Sequence, residues 1–313
     1  WCSFQVMAGP RIVSLLPSSS EIVVSLGFED SLVGRSHECD FPTHLKQLPV
    51  LTAPKFNPNG SSLEINEDVS EILRYGLSVY KLDVKLLEEL EPDFVVTQSQ
   101  CEVCAVNMKE VEAAVCQLIS AEPTIINLEP NSLQDVFDDI ARVGEALDAS
   151  KKATTILDGM KDSFESIRKK TAKAPKPKLA TIEWLDPIML AGNWVPELVE
   201  IAGGENVLSI KDEHSHYFTW EQIRDEKPDV IAVMPCGFDI ERTMKEMHLL
   251  TTLPGWYDMD AVKNKRVYVT DGNQYFNRPG PRLKESAEIL SEILHPELFA
   301  PHHLGTGYIK FES

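Results

Sequence analysis

The sequence predicts an α/β protein built as two lobes of similar plan, each with a parallel sheet, joined by one long rigid helix. Three observations predict it. Short apolar runs alternate with amphipathic helical stretches along most of the 313 residues, the pattern of strands covered by helices. The segment Glu91-Pro92-Asp93-Phe94-Val95-Val96 is echoed by Lys227-Pro228-Asp229-Val230-Ile231-Ala232. Each puts a helix end, a proline breaker and a buried strand in the same order. Between the halves, 149–172 carries Ile156, Leu157, Met160, Phe164 and Ile167 as one apolar stripe among charged residues, a helix of about 35 Å.

Strand 11–16 opens the first half. Pro17, Ser18, Ser19 and Ser20 follow, serines of the kind that cap a helix, here running to Leu26 and ended by Gly27. Strand 32–35 comes next, then helix 84–90, strand 94–97, helix 108–119, strand 124–128 and helix 132–147. In the second half, strand 179–183 leads to 189–191 and to helix 195–202, which Gly203-Gly204 ends. Helix 220–225, strand 230–234, helix 241–248, strand 266–270 and helix 282–294 complete the plan. The domains are thus 10–148, the linking helix 149–174, with Pro175 and Pro177 as its stop, 175–298, and a tail over 299–313 that holds His302 and His303 loosely.

Composition narrows the function. Apolar residues are 43% and charged residues 25%, and the formal net charge is −19. Nucleic acid and anionic membrane surfaces both attract basic faces, so neither is an expected partner. No apolar run approaches the ~20 residues that span a bilayer. Met7 reads as a native start, which gives a cytoplasmic protein; a processed precursor would instead be periplasmic or secreted. Six scattered cysteines (2, 39, 101, 104, 116 and 236) do not make a disulfide framework. A phosphate-binding loop, a dinucleotide fingerprint and a nucleophile elbow are all missing from the sequence, so no catalytic residue is assigned.

In open parallel sheets, ligands bind beyond the carboxyl ends of the strands. The residues expected there include Ser18, Arg35, Tyr80, Gln98, Gln100, Trp184, Trp194, Phe238, Asn273, Tyr275, Phe276, Asn277 and Arg278. Aromatic faces with many polar edges suit a large, flat, mostly apolar ligand; ordinary packing is the competing reading of each aromatic. Four cysteines also fall at strand ends. His37, Cys39, Cys101, Cys104 and Cys236 form a candidate metal set, since histidine with thiolate favours zinc or another thiophilic metal. The alternative is small thiols packed beneath loops.

The opening Arg11-Ile12-Val13-Ser14-Leu15-Leu16-Pro17-Ser18, the Leu90–Val96 segment, and Glu197-Leu198 through Ala202-Gly203-Gly204-Glu205-Asn206-Val207 resemble the class III periplasmic substrate-binding proteins, which serve ABC importers of cobalamin and iron siderophores. Residues 35–40, 100–106, 192–198 and 271–282 are more narrowly similar to the cobalamin-binding branch. The resemblance implies two Rossmann-like lobes, a ligand held in the cleft between them, and no catalysis. It implies a corrinoid ligand with its ring stacked on aromatics and its amides met by Gln98, Asn273, Asn277 and Arg278. An iron chelate or another tetrapyrrole is the alternative, and so is a metal-handling protein or metalloenzyme. It also implies an ABC permease as partner, docked through one glutamate on each lobe. Glu221 holds the second-lobe position. Lys85 stands where the first-lobe glutamate belongs, with Glu88 and Glu89 one turn on.

Overall fold

Ile12–Ser14 (β1) is buried along its whole length, as a strand covered on both faces must be. The fold is that of a computed structural model, described for residues 9–74, 78–99, 108–116 and 122–312. These residues fall into two compact units. The first comprises 9–57, 69–129 and 139–153, and the second 58–68, 130–138 and 154–312.

In chain order, β1 leads to α1 (Pro17–Ser25), β2 (Leu32–Arg35), β3 (Thr52–Pro54), α2 (Ser62–Arg74), β4 (Tyr80–Leu82), α3 (Val84–Leu90), β5 (Phe94–Gln98), α4 (Met108–Val115), β6 (Thr124–Leu128) and α5 (Leu133–Ala146). The first unit's sheet has the order β2-β1-β5-β6 and every pairing is parallel. Beside it, β3 and β4 make a separate antiparallel pair that local sequence pattern does not announce. The serines after β1 do not cap α1. Leu16 holds the N-cap position with no side-chain cap. Ser14 Oγ instead lies 2.6 Å from Ser19 Oγ and 2.7 Å from Ser20 Oγ, and all three residues are fully buried.

The 22-residue helix α6 (Ser150–Thr171) follows, unbroken as predicted. Ala153, Met160, Phe164 and Ile167 form its buried stripe, and Phe164 stacks on Phe137 with ring centres 6.3 Å apart.

The second unit contains β7 (Lys178–Leu185), β8 (Ile188–Leu190), α7 (Val195–Ile201), β9 (Glu205–Asn206), β10 (His216–Tyr217), α8 (Trp220–Asp225), β11 (Val230–Val233), α9 (Ile240–Glu246), α10 (His248–Thr251), α11 (Asp260–Lys263), β12 (Val267–Thr270), α12 (Leu283–Leu294) and β13 (Tyr308–Lys310). Its sheet is mixed, not wholly parallel. β9, β11 and β12 run parallel to β7, whereas β8 and β13 run antiparallel to it and β10 pairs antiparallel with β8. The turn at Asp186 and Pro187 is too short for a crossover, so β8 must fold back as a hairpin. Every residue of β11 and β12 is buried; each large aliphatic side chain so placed contributes about 1.5–3 kcal/mol of apolar burial. The tail is not loose: β13 pairs with β12, and the His303 amide donates to the Glu292 carboxylate at 3.1 Å.

The sequence echo has a structural meaning. Glu91 and Lys227 both adopt a left-handed backbone ahead of their prolines, with φ of 43° and 52°. The Asp93 carboxylate accepts the Arg11 amide at 2.7 Å, and Asp229 accepts the Lys178 amide at 2.8 Å. Each aspartate thereby fixes the start of the neighbouring strand.

Candidate functional site

In the first unit, β2 ends at Arg35, which is 8% exposed. Its guanidinium donates to the carbonyls of Ser36 at 2.9 Å and Lys46 at 2.9 Å. Arg35 therefore braces the loop after β2. That loop presents His37. Thr52 Oγ1 donates to Ser36 Oγ at 2.9 Å and lies 2.7 Å from His37 Nδ1. A hydroxyl has a single proton, and Thr52 has given it to the serine. The Nδ1 position must then carry the hydrogen, and Nε2 keeps its lone pair. Burial first, and the Arg35 charge second, hold the imidazole down to about 4, so it is neutral at physiological pH.

Tyr80 lies edge-on to His37, with centroids 4.9 Å apart, and its hydroxyl donates to Glu38 Oε1 at 2.8 Å. Phe56 adds a third ring, 6.2 Å from Tyr80. His37 and Tyr80, predicted separately as a metal ligand and a ligand contact, thus form one group with Phe56, Glu38 and Thr52. Thr52 and Phe56 carry no signal in the sequence, because the long-range pairing of β3 brings them in, whereas Glu38 adjoins His37 in the chain. Ser18, in the first turn of α1, and Gln98, at the end of β5, are buried, and Ser18 Oγ has no hydrogen-bond partner among the described residues.

Cys39 is 1% exposed, and burial pushes its thiol up to about 11. With no metal bound, it is a packed, protonated thiol. Cys236 lies in the second unit, after β11. Cys101, Cys104 and Gln100 lie outside the described residues. Among the described residues, no group of three or more His, Cys, Asp or Glu is arranged to hold a metal ion.

In the second unit, the end of β7 and the loops after β11 and β12 are knitted together. Trp184 and Phe238 stand with ring centres 5.2 Å apart. The Asn273 amide donates to the Phe238 carbonyl at 3.0 Å. Asn277 Nδ2 donates to the carbonyls of Met234 and Gly272, each at 3.1 Å. Gly272 passes so close to the Pro235 carbonyl that a Cβ would collide with it. Asp271 Oδ1 accepts the amides of Asn273 and Gln274 at 3.1 and 2.8 Å; burial raises this carboxyl above its ordinary range. Arg278 is 5% exposed and donates to Asn273 Oδ1 at 3.0 Å.

Two predicted contacts sit behind this surface. Phe276 is fully buried at a positive φ of 66°, and the Trp194 indole N–H donates to its carbonyl at 2.7 Å. Both rings support the 271–282 loop from the core. Tyr275 remains half-buried, with the Arg282 guanidinium 5.1 Å from its ring centre and His303 6.2 Å away.

The sequence pattern misses three further groups. Arg242 lies 4.3 Å over the Phe238 ring, and Glu246 pairs with Arg242 at 2.5 Å. Glu183 is the extra residue of a bulge where β7 meets β8; bulges re-aim side chains beside functional surfaces. Its carboxylate accepts Ser215 Oγ at 3.0 Å, and burial raises it to about 7. A separate hollow of about 420 Å³ in the first unit, lined by Thr124, Asn127, Glu129 and Arg142 among others, collects none of the predicted ligand contacts.

Comparison with known proteins gives a consistent picture. A family model described as periplasmic binding protein matches residues 12–274. An uncharacterized ABC transporter substrate-binding lipoprotein of Bacillus subtilis, YvrC, is 27% identical over 298 residues, covering 92% of this chain and 81% of that protein. A periplasmic heme-binding protein of Pseudomonas aeruginosa superposes with a TM-score of 0.69 at 20% identity, over 93% of this chain and 94% of that one. The periplasmic vitamin B12 binding protein BtuF of Vibrio cholerae does so with a TM-score of 0.64 at 19% identity, over 92% and 97%. The likeness to these two structures is one of fold.

Proposed function

The chain belongs to the periplasmic binding protein family, as a non-catalytic substrate-binding protein of the ABC-transporter type, and we propose that its ligand is a flat, metal-bearing macrocycle of the tetrapyrrole class. A corrinoid is the first candidate and heme the second.

The observation that carries this reading is His37. Its neutral imidazole has Nδ1 committed to Thr52 and a lone pair left on Nε2. An imidazole oriented through its other nitrogen is the usual form of a histidine that meets a metal. The proposal takes that metal as part of the cargo. Trp184 and Phe238 supply apolar ring area of the kind a macrocycle stacks on. The similarity to both a vitamin B12 binder and a heme binder supports the class without separating its members.

Hydroxocobalamin, cobinamide and hemin are the ligands to titrate, read by calorimetry and visible absorption. Binding of one, with a shifted metal band that His37→Ala abolishes, is the expected result. No heat and no spectral change with any of the three would remove the proposal.

The family implies a permease partner. Glu221 stands exposed in the first turn of α8, where it is available for docking. Lys85 pairs with Glu89 at 3.7 Å on the surface, and Glu88 or Glu89 is assigned to the first-lobe contact. Among the described residues, no helix is long and apolar enough to cross a membrane.

A further inference from the structure

Phe238, one of the two rings assigned to the ligand, is only 5% exposed. Its cover is specific. Arg242 lies over the ring and Trp184 packs beside it. Both neighbouring groups are tied to the segment Pro58–Asp68, which belongs to the same unit. Arg242 Nη2 donates to the Gly60 carbonyl at 2.6 Å, and the Trp184 indole N–H donates to the Ser62 carbonyl at 3.1 Å. Glu246 closes the ring of contacts. It pairs with Arg242, and its two carboxylate oxygens accept the Ser62 amide at 3.2 and 3.1 Å. Ser62 opens α2, so an anion meets free amides at a helix start, a favourable arrangement. At the far end of the segment, Tyr217 donates to Asn66 Oδ1 at 2.8 Å.

The start of α2 does not depend on these ties. The Ser61 amide and hydroxyl donate to Glu64 Oε2 at 2.8 and 2.9 Å, and the Glu64 amide donates back to Ser61 Oγ at 3.3 Å. This reciprocal cap holds the turn together by itself. Pro58 and Gly60 precede it, residues that permit a fixed bend in the connecting chain. The segment is thus a preformed turn fastened by a few charged and polar contacts.

We infer that segment 58–68 is a latched cover over the Trp184–Phe238 surface, with Glu246 and Arg242 as its latch. The cover controls access and leaves the ligand chemistry to other residues. This rests on the proposed ligand reading only for what is admitted when the cover lifts. A ligand that needs the uncovered state binds with an apparent affinity scaled by the fraction of molecules uncovered.

The test compares the full chain with Glu246→Gln, which keeps the side chain's volume, and with Tyr217→Phe, which removes one exposed hydroxyl. Hydroxyl-radical footprinting reads Phe238 directly, without any ligand. The cover predicts that oxidation of Phe238 rises several-fold in Glu246→Gln, and amide exchange of 58–68 rises in both variants, with circular dichroism unchanged. Stopped-flow mixing with hemin and hydroxocobalamin should then show association faster by up to roughly tenfold in Glu246→Gln, the worth of a charge-assisted hydrogen bond. Unchanged Phe238 oxidation in a folded Glu246→Gln variant overturns the cover. Increased oxidation with no binding of either ligand leaves the cover standing and rejects the ligand reading. Increased oxidation with binding at an unaltered rate shows that the contact does not govern access, and overturns the inference.

Discussion

Thr52 Oγ1 lies 2.7 Å from His37 Nδ1 and donates its single proton to Ser36 Oγ, so toward the imidazole it can only accept. A residue fifteen positions away thereby decides which nitrogen of the imidazole is basic. The metal-ligand reading of His37 depends on that choice, because only the unprotonated nitrogen can donate to a metal.

The tautomer can be measured without a ligand. At pH 7, nitrogen-15 correlation spectra of the protein should show His37 protonated at Nδ1 only. Thr52→Val preserves shape but removes the acceptor, so the Nε2-protonated form should become the major one. A wild-type spectrum already dominated by Nε2–H would undo the assignment.

Glu183 makes a prediction about pH. Its carboxyl stands at about 7 in the folded chain, raised by burial from the ordinary 4.5 and only partly lowered by Ser215. Between those values the folded protein holds a proton that the unfolded chain has released. Stability therefore falls as pH rises across this window, and the loss is complete above it. Glu183→Gln cannot ionise and still accepts from Ser215. It should melt a few degrees above the wild type at pH 8, with the gap closing toward pH 5. Melting curves that differ by the same amount at both pH values would contradict the burial argument.

Cys39 should be inert where Cys116 is not. Burial holds the Cys39 thiol near 11, whereas Cys116 is exposed on the first unit. Alkylation at pH 8 followed by peptide mass spectrometry should label Cys116 at least on the order of a hundredfold faster, since thiolate is the reacting form. In urea the two should react alike. Rapid labelling of native Cys39 would contradict its burial.

Local pattern carried much of this protein. Strands such as Val230–Val233 and Val267–Thr270 are buried on both faces, and an unbroken apolar run between turn residues announces that burial directly. The echo of Glu91-Pro92-Asp93 in Lys227-Pro228-Asp229 announced two similar units, because each aspartate fastens the amide at the start of an adjoining strand. The same period of apolar residues marked α6.

What only the tertiary structure decided lies in contacts between residues far apart in the chain. Phe276 reads as a loop aromatic, yet it is fully buried against Trp194, 82 positions away. Tyr308–Lys310 reads as tail, yet it completes a sheet edge beside β12. Glu246 looks like an ordinary helix carboxylate until it meets the Ser62 amide across 184 residues. Burial and hydrogen-bond choice at such positions depend on strand register and packing, which fix distances between segments that share no local pattern. The sequence therefore determined the main alternation of buried strands and amphipathic helices. The packed chain determined which side chains face outward, which nitrogen of His37 keeps its lone pair, and what covers Phe238.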